Sequence, residues 1–198
     1  ALGEPKWLWS RLPHPAVLMG RAVTWCASTL NHGRYKKIKG ALTLVILIVL
    51  GACLGQRLGF FVPVAEVLCA AVLLAQKSLV QHVQAVGNGA RYSLREGRRA
   101  VAMIVGRDTD QMDQPQMTRA AIESAAENLS DGVVAPAFWL LLGGLPGLLI
   151  YKLVNTADSM IGYKTPALAE FGWAAARFDD LLNWVPARIT AALIAIQG

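Results

Sequence analysis

The sequence predicts an all-α, polytopic integral membrane protein. Hydrophobic residues make up 55% of its 198 positions and charged ones 16%, the mean hydropathy is +0.42, and two apolar runs lie back to back between Ala41 and Ala75. An ordinary soluble domain is less apolar than this. A chain of this length holds one sizeable domain or a bundle of membrane helices, so residues 1–198 are expected to form a single membrane-embedded unit.

The first run, "ALTLVILIVLGACLG" (Ala41–Gly55), is followed after Gln56 and Arg57 by "LGFFVPVAEVLCAAVLLA" (Leu58–Ala75). Each is near the lower limit of about 17–25 apolar residues for a span, and together they predict a tight transmembrane hairpin over 41–75. A hairpin returns the chain to its starting side. Lysine and arginine exceed acids by 19 to 13, for a net charge of +6. They collect in "HGRYKKIKG" (His32–Gly40) and "ARYSLREGRRA" (Ala90–Ala100), each on the loop side of an apolar run. That is the pattern of cytoplasmic flanks, and without aromatic or motif context it argues against a nucleic-acid partner. Glu66, inside the second limb, requires a partner or a protein interior.

Residues 76–132 then predict a cytoplasmic helical region. Gln76–Arg99 is amphipathic with a break expected at Gly87–Arg91, where two glycines fall. A short apolar run ends at Gly106, a polar loop follows, and Pro115 opens a helix capped by Asp113 or Gln114. That helix is expected to reach Ser130 and stop at Gly132. Next, "VVAPAFWLLLGGLPGLLIYKLV" (Val133–Val154) is interrupted at Gly143–Pro146. Its halves, of about ten residues or about 15 Å each, are half of a ~30 Å hydrocarbon core. A re-entrant or buried hairpin over 133–154 is therefore predicted, which leaves the polar region 155–188 on the same side as 76–132. The final "VPARITAALIAIQG" stops while still apolar, and the chain opens at Ala1, so truncation at both ends is expected.

Cys26, Cys53 and Cys69 lack metal-ligand spacing and read as core residues in a reducing compartment. His14, His32 and His82 have no spaced partner, so zinc is not expected. The chemistry lies in four polar clusters: "GRDT" (Gly106–Thr109), "ESAAENLSDG" (Glu123–Gly132), "KLVNTADSMIGYK" (Lys152–Lys164) and "ARFDDLLNWVPAR" (Ala176–Arg188). Glu123, Glu127 and Asp131, at steps of four on one helical face, repel by roughly 0.2–0.5 kcal/mol per pair unless a cation neutralises them. Singly, each charge is accounted for by a solvated face or a local pair such as Arg119 with Glu123, and Asn155 and Ser159 by helix–helix hydrogen bonds. Together, Asp, Glu and Asn oxygens beside Arg and Lys supply what a Mg²⁺–phosphate site needs. No Gly-x-x-x-x-Gly-Lys-Ser/Thr loop and no Gly-x-Gly-x-x-Gly is present. The membrane CDP-alcohol phosphotransferases place Ala-Arg after Asp-Gly, whereas Asp131-Gly132 runs into "VVAP".

The same clusters, in this order, resemble the CobD/CbiB family of cobalamin (vitamin B12) assembly, the adenosylcobinamide-phosphate synthases. The resemblance rests on "HPAVLMGR", "VAMIVGRDT", "RAAIESAAENLSDGVVAPAFW", "GGLPGLLIYKLVNTADSMIGY" and "FGWAAARFDDLLNWVPARITA", and covers the chain from Gly3 onward. It implies an inner-membrane ligase with its active site facing the cytoplasm. Such an enzyme joins aminopropanol, or its phosphate, to a carboxylate of adenosylcobyric acid with ATP hydrolysis, giving adenosylcobinamide or its phosphate. It further implies ATP and Mg²⁺ as nucleotide and metal, a corrinoid substrate, contact with the bilayer, and association with other cobalamin-assembly enzymes. Carried onto these positions, Glu127 and Asp131 are the catalytic acids. Arg107, Asn128, Lys152, Asn155, Arg177 and Asn183 meet phosphate or substrate, and Glu123, Asp158, Asp179 and Asp180 hold metal. Glu127, set against the lipid boundary where desolvation favours the neutral acid, is the expected proton acceptor. The competing reading is a membrane corrinoid carrier or transporter without ligase activity, which would place two broken helices in related halves where one is visible.

Overall fold

The computed structural model describes residues 11, 13–61, 65–74, 76–105, 108–163 and 165–197, and every regular element among them is helical. In chain order these are α1 (Pro15–Leu30), α2 (Lys36–Phe61), α3 (Ala65–Leu73), α4 (Gln76–Tyr92), α5 (Leu94–Ala102) and α6 (Gln114–Leu129). A π-helical turn (Ser130–Val134), α7 (Ala135–Ile161) and α8 (Trp173–Gln197) complete the set.

α1, α2, α3, α7 and α8 form one packed block. Its main core joins Met19, Val23, Leu47, Leu73, Leu145, Leu148 and Leu153, and a second cluster beneath the site joins Leu44, Tyr151, Val154, Ala174 and Leu182. α4, α5 and α6 pack around a smaller core of Val86, Val101, Met117, Ala120 and Ala121. The helical region expected over 76–132 is thus a small bundle, joined to the block through α6 and the π-helical turn.

Two segments, Lys36–Phe60 and Gln114–Ile161, are long and apolar enough to cross a membrane, and only 28% of the most apolar stretch in each is buried. Leu42, Val45, Val49 and Leu54 of α2 point outward, a stripe that water would penalise and hydrocarbon would not. The pair expected over 41–75 differs from two spans. α2 continues through Gln56 and Arg57, which are good helix formers, while Gly55 lets the backbone at Leu145 and Pro146 approach closely. α2 reaches Phe61, and α3, with nine residues, is only about 14 Å long. One full-length helix is followed by a half-length one.

The apolar hairpin expected over 133–154 is present. At Gly144 the backbone takes φ 58°, ψ −153°, a region open essentially to glycine alone, and the chain folds back until Gly147 abuts the Trp139 carbonyl. The 114–161 segment is therefore a folded helix, not a rod. Pro146 sits in the first turn of the returning limb, where its missing N–H breaks no bond. Glu66, on α3, accepts a hydrogen bond from the Leu145 N–H at 3.4 Å, so the acid that looked costly in the sequence caps the free end of this limb. Glu66→Ala is expected to lower stability by about 1–2 kcal/mol, and Glu66→Gln by much less, because the amide oxygen still accepts. Thermal unfolding in detergent micelles checks this, and equal losses in both variants would show that capping is not the cause.

Two glycine readings change. α4 runs unbroken through Gly87 and Gly89 to Tyr92, and Gly89 instead allows the Glu96 backbone of α5 to pack against it, since a Cβ would stand 2.8 Å from the Glu96 carbonyl oxygen. Gly132 does not end its helix either, for the chain widens there into the π-helical turn and continues into α7. The start of α6 is as expected. Asp113 accepts from the Gln116 N–H at 2.8 Å while the Gln116 side chain accepts from the Asp113 N–H at 2.9 Å, a reciprocal capping box.

Candidate acid-rich site

Three elements meet at the site: the π-helical turn, which carries Asp131; the returning limb of α7, which carries Tyr151 and, at steps of three, Lys152, Asn155 and Asp158; and the first half of α8, which carries Asp179 and Asn183. The π-helical turn adds a residue to the winding, and so sets Asp131 over α7 and α8. Trp139 fastens this assembly from the outgoing limb, its indole N–H donating to the Leu182 carbonyl at 3.1 Å.

The hydrogen bonds form one chain. The Tyr151 hydroxyl lies 3.3 Å from the Asp131 carbonyl oxygen and 3.0 Å from Asn183 Oδ1. The Asn183 amide donates to Asp179 Oδ2 at 2.9 Å, and the Asn155 amide reaches Asp179 Oδ1 at 3.5 Å. Asp179 is 7% exposed, a carboxylate held by two amides. The charges of Asp131 and Asp179 act on Lys152, and those of Asp158 and Asp131 act on Asp179. Acids outnumber cations here, so the cluster lacks positive charge. Nearby, Ser130 is buried, with its side chain against Asp131.

Burial, with the neighbouring Asp158 and Asp131 charges, pushes the Asp179 carboxyl up to about 6, against the smaller opposing effect of Asn183 and Asn155. Its folded value lies above the unfolded one, so the native state binds the extra proton between about pH 4 and 6. Stability from this group is present below that window, falls as pH rises through it, and is flat above. Asp179→Asn is expected to unfold at a higher temperature than the parent at pH 7.5, by the equivalent of roughly 1–3 kcal/mol, with the difference vanishing near pH 4. Thermal melts at the two pH values check it.

The residues expected from the sequence divide into three groups. Asp131, Lys152, Asn155, Asp158, Asp179 and Asn183 come together in the site. At its margin, Asp180 approaches Asp158 closely enough for their charges to interact and pairs with Arg177 at 3.8 Å on an exposed surface. Glu127 acts on Asp131 through its charge and is itself exposed. The buried carboxylate is Asp179. Asn128 faces back along its helix, its amide donating to the Ser124 carbonyl at 2.8 Å. Glu123 lines a separate cleft of about 320 Å³ with Asp108, Gln116 and Arg119. Arg107 lies outside the described residues.

Tyr151 is the member that sequence reasoning missed. Inside "LLIYKLV" it reads as an apolar core residue, and only its position one before Lys152 hinted otherwise. Among the described residues no three acids, histidines or cysteines converge as a ready-made metal cage. A Mg²⁺ ion commonly takes one or two carboxylates and completes its shell with water and substrate phosphate. The hard-oxygen donors of Asp158 and Asp179 fit such an ion, and soft or imidazole ligands are absent from the cluster.

The profile of the family described as CobD/Cbib protein matches residues 1–198. A Rhizobium meliloti protein named Cobalamin biosynthesis protein CobD is 52% identical over 206 residues, covering 98% of this chain and 63% of its own length. Proteins of the same name from Halalkalibacterium halodurans and Rhodobacter capsulatus are 43% and 42% identical, with 98% and 100% of this chain covered. The chain spans 63% of the length of the first of these relatives and 66% of the last. No solved structure matches it.

Proposed function

The chain belongs to the CobD/CbiB family, and from that premise we propose that it acts in cobalamin biosynthesis as the site-bearing part of a membrane amide ligase. The reaction joins aminopropanol, or aminopropanol phosphate, to a carboxylate of adenosylcobyric acid at the expense of ATP. The observation that carries this reading is a cluster drawn from three elements, in which Asp179 is held by the Asn155 and Asn183 amides and feels the charges of Asp158 and Asp131, with Lys152 beside them. A large amphipathic corrinoid suits a site at the membrane surface, with the polar region and the α4–α6 bundle facing the cytoplasm of a bacterial inner membrane.

Amide formation from a carboxylate needs a better leaving group than hydroxide. In the proposed sequence the corrinoid carboxylate oxygen bonds to a phosphorus of ATP, the bond from that phosphorus to its departing phosphate oxygen breaks, and the carboxylate is activated. The amine nitrogen then forms the C–N bond as the C–O bond to the phosphorylated oxygen breaks. The amine gives up a proton in this step, and we assign its acceptance to the Asp131 carboxylate. Lys152 meets phosphate oxygens, while Asn155 and Asn183 orient Asp179. Asp158 and Asp179, with Asp180 close by, would hold Mg²⁺, which supplies charge neutralisation for the phosphate oxygens.

The test incubates the protein in micelles or nanodiscs with adenosylcobyric acid, aminopropanol phosphate and Mg²⁺–ATP and looks for a new corrinoid amide by mass spectrometry. Product that requires both ATP and Mg²⁺ is expected. Corrinoid binding without product would replace the ligase by a carrier, and neither binding nor product would remove both.

A further inference from the structure

We propose that a second, arginine-lined cleft on the α4–α6 bundle binds a phosphate-bearing ligand, separately from the acid-rich site. The register of α5 creates it. Gly97 and Val101 are buried, and a Cβ on Gly97 would stand 3.1 Å from Ala90 Cα and 3.2 Å from the Met117 side chain, so that face must lie inward. Inward Gly97 and Val101 place Arg95, Arg98, Arg99 and Ala102, spaced three or four apart, along the opposite side. These four residues, with Glu96, Thr109 and Asp110, line a cleft of about 530 Å³, within the roughly 300–1,000 Å³ typical of small-molecule sites.

The far wall is a built loop. The Arg98 Nε donates to the Met112 carbonyl at 2.7 Å, and the Thr109 hydroxyl, 5% exposed, donates to the Arg98 carbonyl at 3.3 Å. The loop holds itself by an Asx turn, with the Asp110 N–H donating to Asp108 Oδ1 at 2.9 Å. At its base, the Ser124 hydroxyl of α6 donates to the Ile104 carbonyl at 2.6 Å. Arg98 is thereby positioned through Nε, and its terminal nitrogens have no hydrogen-bond partner among the described residues. Arg95 meets Glu96 only at 4.0 Å, and Arg99 has no ion-pair partner among the described residues. Three guanidinium groups in one cleft repel one another unless an anion sits among them, and the planar donor fork of arginine matches phosphate oxygens. The acid-rich site has the opposite charge balance, so in the absence of a divalent cation it attracts a free phosphate less than this cleft does. The phosphate can belong to a soluble monoester or polyphosphate, or to the headgroup of an anionic lipid beside the bundle. This proposal stands independently of the ligase reading.

The experiment titrates pyrophosphate into the chain in neutral detergent by calorimetry without Mg²⁺, so that the acid-rich site repels the probe. It then repeats the titration with Arg95→Gln/Arg99→Gln and in micelles doped with phosphatidylglycerol. Saturable binding that weakens at least tenfold in the double variant and persists beside phosphatidylglycerol is expected for a soluble phosphate ligand. Displacement of pyrophosphate by phosphatidylglycerol, with lipid retention lost in the variant, assigns the cleft to a headgroup. Both residues are at the surface, and unchanged circular dichroism of the variant confirms folding. Equal binding by variant and parent, or no binding of either probe by the parent, overturns the proposal.

Discussion

Asp131→Asn is expected to slow amide formation by about 10²- to 10⁴-fold, the range of a lost general base, with the protein still folded and still binding corrinoid. Asn keeps the shape of the side chain, and the Asp131 main-chain carbonyl that faces Tyr151 is untouched. What is lost is a charge able to take a proton beside Lys152. The paired control is Glu127→Gln. Because Glu127 is exposed and reaches the site only through its charge, its turnover should stay within a few-fold of the parent. Single-turnover rates for both variants decide the assignment: a severe loss in Glu127→Gln with near-normal Asp131→Asn would move the base back to Glu127. Asp179→Asn adds a third signature, greater stability at neutral pH together with lost activity, as expected where charge is concentrated for function at the expense of the fold.

Gly172→Ala and Gly40→Ala are expected to prevent normal folding, each costing more than about 3 kcal/mol. The two glycines lie at one junction. Gly172 packs directly on the Ile161 carbonyl, which closes α7, and Gly40, early in α2, packs on the Phe171 carbonyl. A methyl group at either place would meet backbone, which cannot swing aside as a flexible side chain can. The segment between α7 and α8 is held from the other side by the Asn31 amide, which donates to the Ala167 carbonyl at 3.0 Å, and by Lys37 stacked 3.9 Å over the Trp173 ring. Loosening it would release the start of α8 and with it Asp179. Gly59→Ala, with nothing within 4 Å of the added Cβ, is the control. Monodisperse yield in detergent and melting temperature are the readouts, and a Gly172→Ala protein that melts like Gly59→Ala would refute the argument.

Much of the site was legible because its members sit on helices at steps of three and four: Lys152, Asn155 and Asp158 on one, Asp179 and Asn183 on another. The reversal near Gly144 was legible for a simple reason, since two glycines and a proline inside an apolar run leave halves too short to cross. Other parts were hidden by physics that spacing does not carry. Gln56 and Arg57 look like a turn only when polarity is equated with a loop, and a helix accepts both. Gly87, Gly89 and Gly132 look like breaks, yet Gly89 serves close packing and Gly132 lies in a widened turn. That turn also explains why Glu123 and Asp131 part company. Steps of four predict one face along a regular helix, but the face drifts with each step and the π-helical winding shifts it again, so Glu123 ends in another cleft. Tyr151 was hidden because its aromatic body belongs to the core and only its hydroxyl belongs to the site.

The contact between Glu66 and Leu145 joins residues 79 positions apart, and this separation has a consequence for biogenesis. During synthesis α3 emerges from the ribosome well before the limb it caps. Until that limb arrives the Leu145 N–H that donates to Glu66 does not exist, and the side chain keeps its water. The hairpin in turn has an uncapped end until α3 is beside it. Each piece supplies the hydrogen-bonding partner that the other lacks, so α3 and the hairpin are expected to become stable together, once the chain past Leu145 has been made.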